Sequence, residues 1–433
     1  MRHALGTVVL LALLAACSNP KSTAKTTEAA TSAPPAASSM AAVEVDAGHD
    51  AAPAKPPPEV LAGADFAADA KTLFRVAACG NTDQPVPAGF DAAVVDAHCK
   101  DLASMIAEYK KTWIDVAMPF IAKLEPKDLP KTVVYPFGGG DLLGALATYP
   151  DATDFTTISL EIAADVRKIE SVPKARLAPE LARYNAVLGK LFEKAHSRTI
   201  NLDIGSKSVL PGEIVFDLVA LVVHGYEPTS LRYFVVQDDG TAHYFDQGEI
   251  DAADAAVKAG HKTRAEEDDR IFSNMELRFV KKGDPDATPR ILRHIAWNLD
   301  DKHLKQNGRL LKFLDARGTK ISAMTKAASH LLWSDDFSII RNYLATHTDW
   351  MISDSTGFTP AYAKKMVFVQ DTYATYTWPE PFGTVDVKNA TDLKDLFLAN
   401  PHVDVPFRYG YPDKDHHGHI LVTRKPNFPA GKP

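Results

Sequence analysis

Cysteine is nearly missing from this chain: its 433 residues hold only Cys17, Cys79 and Cys99. Three thiols are too few for a disulfide-dense scaffold, and no CxxC spacing points to a zinc cluster or a redox pair. No apolar run of about 20 residues follows the N-terminal segment, so nothing later in the chain is read as a membrane-spanning helix. There is no dense Lys/Arg stripe interleaved with aromatics, and the formal net charge is -7, which argues against nucleic acid as a partner. No GxSxG elbow and no HExxH helix occurs, so two well-marked hydrolase signatures are missing. No repeat period is visible either. What is present is ordinary globular material, 45% hydrophobic and 24% charged, long enough for one large domain or two medium ones.

Residues 1–16 open with Arg2 and His3, run apolar through Leu5, Val8, Val9, Leu10, Leu11, Leu13 and Leu14, and end on small residues. A positive end, an apolar core shorter than a bilayer and a small-residue exit are the parts of a secretory signal. The exit, Leu14-Ala15-Ala16-Cys17, resembles the lipobox of bacterial lipoproteins. That resemblance implies that Cys17 is lipidated and becomes the mature N-terminus. It also implies a membrane partner reached through acyl chains, with Ser18 in the next position favouring the outer membrane, facing the periplasm or the exterior. The alternative is an ordinary signal cleaved at Ala-x-Ala, with Cys17 left as a free thiol. Each buried methylene contributes about 0.8 kcal/mol, so more than one chain would hold the protein at a surface without spanning it. Residues 17–58 are mostly Ala, Pro, Ser, Thr and Lys and cannot bury enough surface to offset their ordering entropy, so they read as a disordered tether.

Residues 59–433 read as a single α/β domain, with a helical entry region over 59–130 and a mixed α/β core over 131–433. Cys79 and Cys99 flank a turn-rich loop and predict a disulfide in an oxidising compartment; two buried thiols are the alternative. From Ala92 to Leu124 the apolar residues recur at helical spacing, with a kink expected at Pro119. Beyond it, Val133–Tyr135 predicts a strand, Gly138, Gly139 and Gly140 a turn, Asp141–Tyr149 a helix and Phe155–Leu160 a second, parallel strand. Further on, Pro179–His196 predicts a helix, and Ile214–Val223 a buried segment of either kind. Hairpins are expected at Leu231–Val236 with Ala242–Phe245 and at Met275–Val280 with Arg290–Asn298. Two consecutive helices are expected over Ile321–Trp333 and Phe337–Thr346, then strands at Trp350–Ser353 and Val367–Tyr376. A helix at Asp392–Leu398 and closing strands at Phe407–Tyr411 and Ile420–Val422 complete a mixed, Rossmann-like sheet covered by helices.

Val133 to Glu161 has the outline of a nucleotide-binding unit: glycines that let backbone approach a phosphate, a helix N-terminus, and an acid about 20 residues on. In this it resembles the first motif of S-adenosylmethionine-dependent methyltransferases. It departs from that motif where the strand enters the turn through Tyr135-Pro136-Phe137. Such cofactors belong to the cytoplasm, whereas this chain carries an export signal, so no cofactor is expected and a methyltransferase-like fold would be a degenerate one. A longer likeness runs from Tyr135-Pro136-Phe137-Gly138-Gly139-Gly140-Asp141 through Ala327-Ala328-Ser329-His330-Leu331-Leu332 to Phe337-Ser338-Ile339-Ile340-Arg341. It is similar to an uncharacterised family of exported bacterial proteins with a YPFxGxD signature, which implies one domain and brings no activity.

Asp141, Glu161, His224 and Asp354 sit at expected strand ends or turns and are the candidate catalytic residues, with Gly138 to Gly140 the candidate cofactor turn. Ser355 follows an expected strand, where an α/β nucleophile can sit; a plain Ser-Thr-Gly turn is the simpler account. His416, His417 and His419, with Asp413 and Asp415, form the sole histidine cluster; a solvated hairpin loop is the simpler account than a metal site. The reading is thus a membrane-anchored cell-envelope lipoprotein with a binding or structural role, its ligand an envelope protein or a small molecule. The alternative is an envelope hydrolase working at the sheet edge near Asp141 and Glu161.

Overall fold

Strand β1 (Thr132–Pro136) is buried at every position after its first, and consecutive side chains enter different apolar clusters. Val133 and Tyr135 join one cluster and Val134 the other, as the two-residue period of a strand covered on both faces requires. The computed structural model describes residues 61–194, 212–284, 286–374, 387–400, 403–411 and 418–433. Cys17, His416 and His417 lie outside the described residues. Val60–Pro433 forms one compact unit.

β1 is the middle of a mixed ten-stranded sheet. The others are β2 (Asp154–Ser159), β3 (Tyr226–Val236), β4 (Ala242–Tyr244), β5 (Asn274–Lys281), β6 (Arg290–Ala296), β7 (Ile321–Thr325), β8 (Thr348–Ser353), β9 (Val369–Ala374) and β10 (His419–Arg424). Their order is β4-β3-β5-β6-β2-β1-β7-β8-β10-β9. The five central strands, β6-β2-β1-β7-β8, are parallel, and the outer ones pair antiparallel. Counted along the chain, the parallel strands run 3-2-1-4-5, the order of a doubly wound sheet, with its reversal between β1 and β7. Helices Leu142–Thr148 and Glu213–His224 pack in the cluster on one face, and Arg309–Asp315 and Ser338–His347 in the cluster on the other.

The β1–turn–helix–β2 crossover and both hairpins form as the sequence predicts, and Ile214–Val223 is helical. Three expectations are corrected. Ile321–Thr325 is strand β7, not the start of a helix, because a strand buried on both faces has no alternation to separate it from a buried helix. Phe407–Tyr411 is irregular, and β10 pairs instead with β8 and β9. The entry helix is irregular before Pro119, at a π-helical turn over Lys110–Ile114.

Cys79 and Cys99 form a disulfide, with their Cα atoms 5.2 Å apart. It ties the end of helix Ala67–Val76 to the middle of helix Ala92–Tyr109. Closing a loop of 20 residues is worth about 3 kcal/mol in the chain-entropy account. Replacing both cysteines with serine is expected to lower unfolding stability by about that amount in denaturant titration. An unchanged midpoint, or free thiols in the mature protein by mass spectrometry, would contradict the bridge.

Candidate functional site

Beyond the carboxyl ends of β1 and β7 the chain leaves the sheet in opposite directions, which opens the crevice where doubly wound folds hold their ligands. The loop out of β1 is the glycine turn. Gly138 N–H donates to the Ile158 carbonyl at 3.1 Å, clamping the turn to the end of β2. Asp141 then caps helix Leu142–Thr148, its Oδ1 accepting from Gly144 N–H at 3.0 Å.

Asp141 does more than cap. Its Oδ2 accepts from the Tyr135 hydroxyl at 2.9 Å and pairs with Lys326 Nζ at 2.7 Å, the two side chains being 4% and 2% exposed. Lys326 is the first residue after β7, so this ion pair joins the two strands that flank the switch point. Gly144 makes room for it: a Cβ there would lie 2.5 Å from Lys326 Nζ. An exposed capping Asp would tolerate Asn; a buried pair that loses one partner costs about 3–5 kcal/mol.

Two further acids close the crevice. Glu213 and Asp217 stand one turn apart at the start of helix Glu213–His224 and are 2% and 0% exposed. Glu213 faces the Gly140 N–H, and a Cβ on Gly140 would come within 2.2 Å of its Oε2. Asp217 faces the Leu142 N–H. Neither contact reaches hydrogen-bond geometry, and none of the four carboxyl oxygens has a partner among the described residues. Burial pushes both groups well above the usual carboxylate range; the charges of Glu161 and Asp217 push Glu213 further, and that of Asp141 pushes Asp217. Both shifts favour the protonated form.

The candidates read from the sequence divide. Asp141, Glu161 and Asp354 gather at the carboxyl ends of β1, β2 and β8; Asp141 raises the Asp217 pKa, Glu161 that of Glu213, and Asp141 and Asp354 both that of Tyr135. Glu161 is half-buried, its carbonyl accepting from His294 Nε2 at 2.8 Å, beside an exposed Leu160. Asp354 is saturated by backbone: Oδ2 accepts from Ala327 and Tyr411 N–H at 3.0 and 2.8 Å, and Oδ1 from Thr356 N–H at 2.9 Å. It knots three loops together. His224 lies elsewhere, at the far end of its helix about 16 Å from Glu213, where Nε2 donates to the Leu143 carbonyl at 3.0 Å and burial pushes its pKa down to about 4. His419 is not in a loop: it is buried on β10, and its Nε2 accepts from Ser355 N–H at 2.9 Å, which places a proton on Nδ1. Among the described residues, Cys79, His98 and Cys99 are grouped closely enough for a metal, and the two thiols are joined as a disulfide.

Lys326, Glu213 and Asp217 escaped the sequence reading. The acids were visible as the only charges in an apolar run, four residues apart on one helix face; Lys326 was hidden by the misassigned β7. Left-handed backbone also concentrates here, at Phe137 after β1 and at Ala327, Ser329 and His330 after β7, with φ of 61°, 54°, 49° and 57°. Each such non-glycine residue costs roughly 1 kcal/mol or more and is held by its surroundings.

The arrangement is not a phosphate cradle. Backbone N–H groups that would face an anion are faced by the protein's own carboxyls, and the Lys326 cation is already paired. Comparison with family models, curated proteins and solved structures gives no match to this chain.

Because the folded pKa of Glu213 and Asp217 is raised, the folded state holds protons that the unfolded state releases above about pH 4. Stability that is complete below that pH falls as pH rises toward the folded pKa, by up to about 1.4 kcal/mol per pH unit for each group. The double variant Glu213→Gln, Asp217→Asn is therefore expected to match the parent near pH 4 and to exceed it increasingly toward pH 8 in thermal unfolding. A gap that is constant or shrinks with pH would show that these carboxyls are ionised in the fold.

Proposed function

We propose that this protein is a membrane-anchored cell-envelope lipoprotein, held by acyl chains on Cys17, whose α/β domain is a binding module that uses no nucleotide. One observation carries the reading that no nucleotide is used: the place where a doubly wound fold seats a phosphate is filled by the Glu213 and Asp217 carboxyls, packed against Gly140 and Leu142. The anchor reading is supported by the Leu14-Ala15-Ala16-Cys17 exit and by a disulfide, which fits an oxidising compartment. The likeness to exported proteins with a YPFxGxD signature fits the same compartment, and its segments meet here, Phe137 and Phe337 packing edge to face with centroids 5.7 Å apart.

A second reading, a hydrolase-type enzyme of the envelope, is favoured by the strained loops around Asp141 and Glu161. In it the half-buried Glu161 serves as base and the Asp141–Lys326 pair as a fixed electrostatic frame. Hydrolysis of a chromogenic ester that is lost in Glu161→Gln would favour this reading over binding alone. A methyltransferase-like core without its cofactor is the third, resting on the strand order.

A thermal-shift panel of ATP, NAD and S-adenosylmethionine tests the reading that no nucleotide is used. A ligand at a hundred times its Kd adds about 2.7 kcal/mol to stability, yet no change in melting temperature is expected with any of the three. A rise with one of them would overturn the reading. For the anchor, palmitate label and membrane association are expected to disappear in Cys17→Ser; label that persists would refute lipidation at that residue.

A further inference from the structure

A recess lies away from the switch point, where the entry helices meet the C-terminal segment. Its cavity of about 380 Å³ is walled in part by Trp113, Phe192, Glu193, Asp404, Phe407 and Arg408. That volume lies within the range of roughly 300–1,000 Å³ found for small-ligand sites. The walls come from three distant segments that long-range hydrogen bonds tie together. Trp113 Nε1 donates to the Arg408 carbonyl at 2.5 Å, and Arg408 Nη1 to the Glu193 carbonyl at 2.9 Å. The π-helical turn Lys110–Ile114 carries Trp113 into this wall, and turns of that kind concentrate at functional sites.

The rings are not equivalent. Trp113 is structural: it stacks on Tyr109 with centroids 5.5 Å apart and holds Lys326 Nζ 5.7 Å from its centroid. Phe407 is fixed edge to face by Trp113 and Phe120 at 5.9 and 5.4 Å. Phe192 stacks on Tyr109 at 4.8 Å and stays half-buried where it lines the cavity. Glu193, Asp404 and Arg408 line the same cavity.

Residues of both charges thus line the cavity beside an aromatic ring. An organic cation would meet Arg408, with Lys326 behind Trp113; an anion would meet Glu193 and Asp404. A neutral ring bearing hydroxyls suits all three, since each hydroxyl both donates and accepts and the C–H face of the ring can lie on Phe192. We propose that this cavity binds a neutral saccharide of one or two rings. The inference goes beyond the binding reading by placing the ligand away from the switch point, and the two fail separately: nucleotide binding would overturn the one and leave the other standing.

The test is isothermal titration of the full chain with maltose, cellobiose and N,N′-diacetylchitobiose at millimolar concentrations, with benzyltrimethylammonium and benzoate as charged controls. One-to-one binding of at least one disaccharide is expected, weakened about tenfold or more in Phe192→Ala and in Asp404→Asn. Asp404 is exposed, so its variant is expected to keep the parent melting temperature. Binding of none of the sugars, preference for either charged control, or sugar affinity unchanged in both variants would overturn the proposal.

Discussion

The ion pair between Asp141 and Lys326 holds the sheet's switch point together. It links the loop after β1 to the loop after β7, caps a helix through the other carboxylate oxygen, and engages Tyr135. Taking two charges out of water carries a desolvation cost that their attraction only partly offsets, so such a pair is poor evidence of stability for its own sake. Its value lies in position. With both side chains almost fully buried, the pair ties the two loops to each other, and the left-handed residues Phe137, Ala327, Ser329 and His330 lie in those loops.

Around this pair the acids differ in kind. Asp354 is ringed by backbone N–H donors and fixes three loops, whereas Glu213 and Asp217 are pushed by burial toward their protonated form, unpartnered among the described residues and packed against the glycine turn. A sheet in doubly wound order, with a glycine turn at its centre, thus closes its own anion seat. The strand order is that of a doubly wound sheet, but the acids at its centre disfavour phosphate, and a cavity lies elsewhere, beside Phe192 and Asp404.

Much of the fold was legible because local signals were strong. The hairpin at Gln237-Asp238-Asp239-Gly240 carries its own turn chemistry, and Val133–Tyr135 followed by three glycines reads as strand then turn. The failures occurred where local and tertiary demands part. β7, Ile-Ser-Ala-Met-Thr, has neither alternation nor a long apolar run, and only its neighbours on both sides make it a strand. Strand order is set by pairings between residues far apart in the chain, which periodicity does not encode. The same holds for the site. Asp141, Glu161 and Asp354 stand at strand ends and could be picked out there, but Lys326, Glu213 and Asp217 acquire their meaning from packing, as does the inert position of His224.

The central claim is that neutral carboxyl groups of the protein itself fill the seat at the glycine turn. Infrared difference spectroscopy between the parent and the Glu213→Gln, Asp217→Asn variant at neutral pH tests it without reference to stability. A carbonyl band of protonated carboxylic acid, present in the parent and missing from the variant, is the predicted result. Carboxylate bands in its place would mean that both groups are charged in the folded protein, and that the seat is occupied by something other than the protein's own neutral acids.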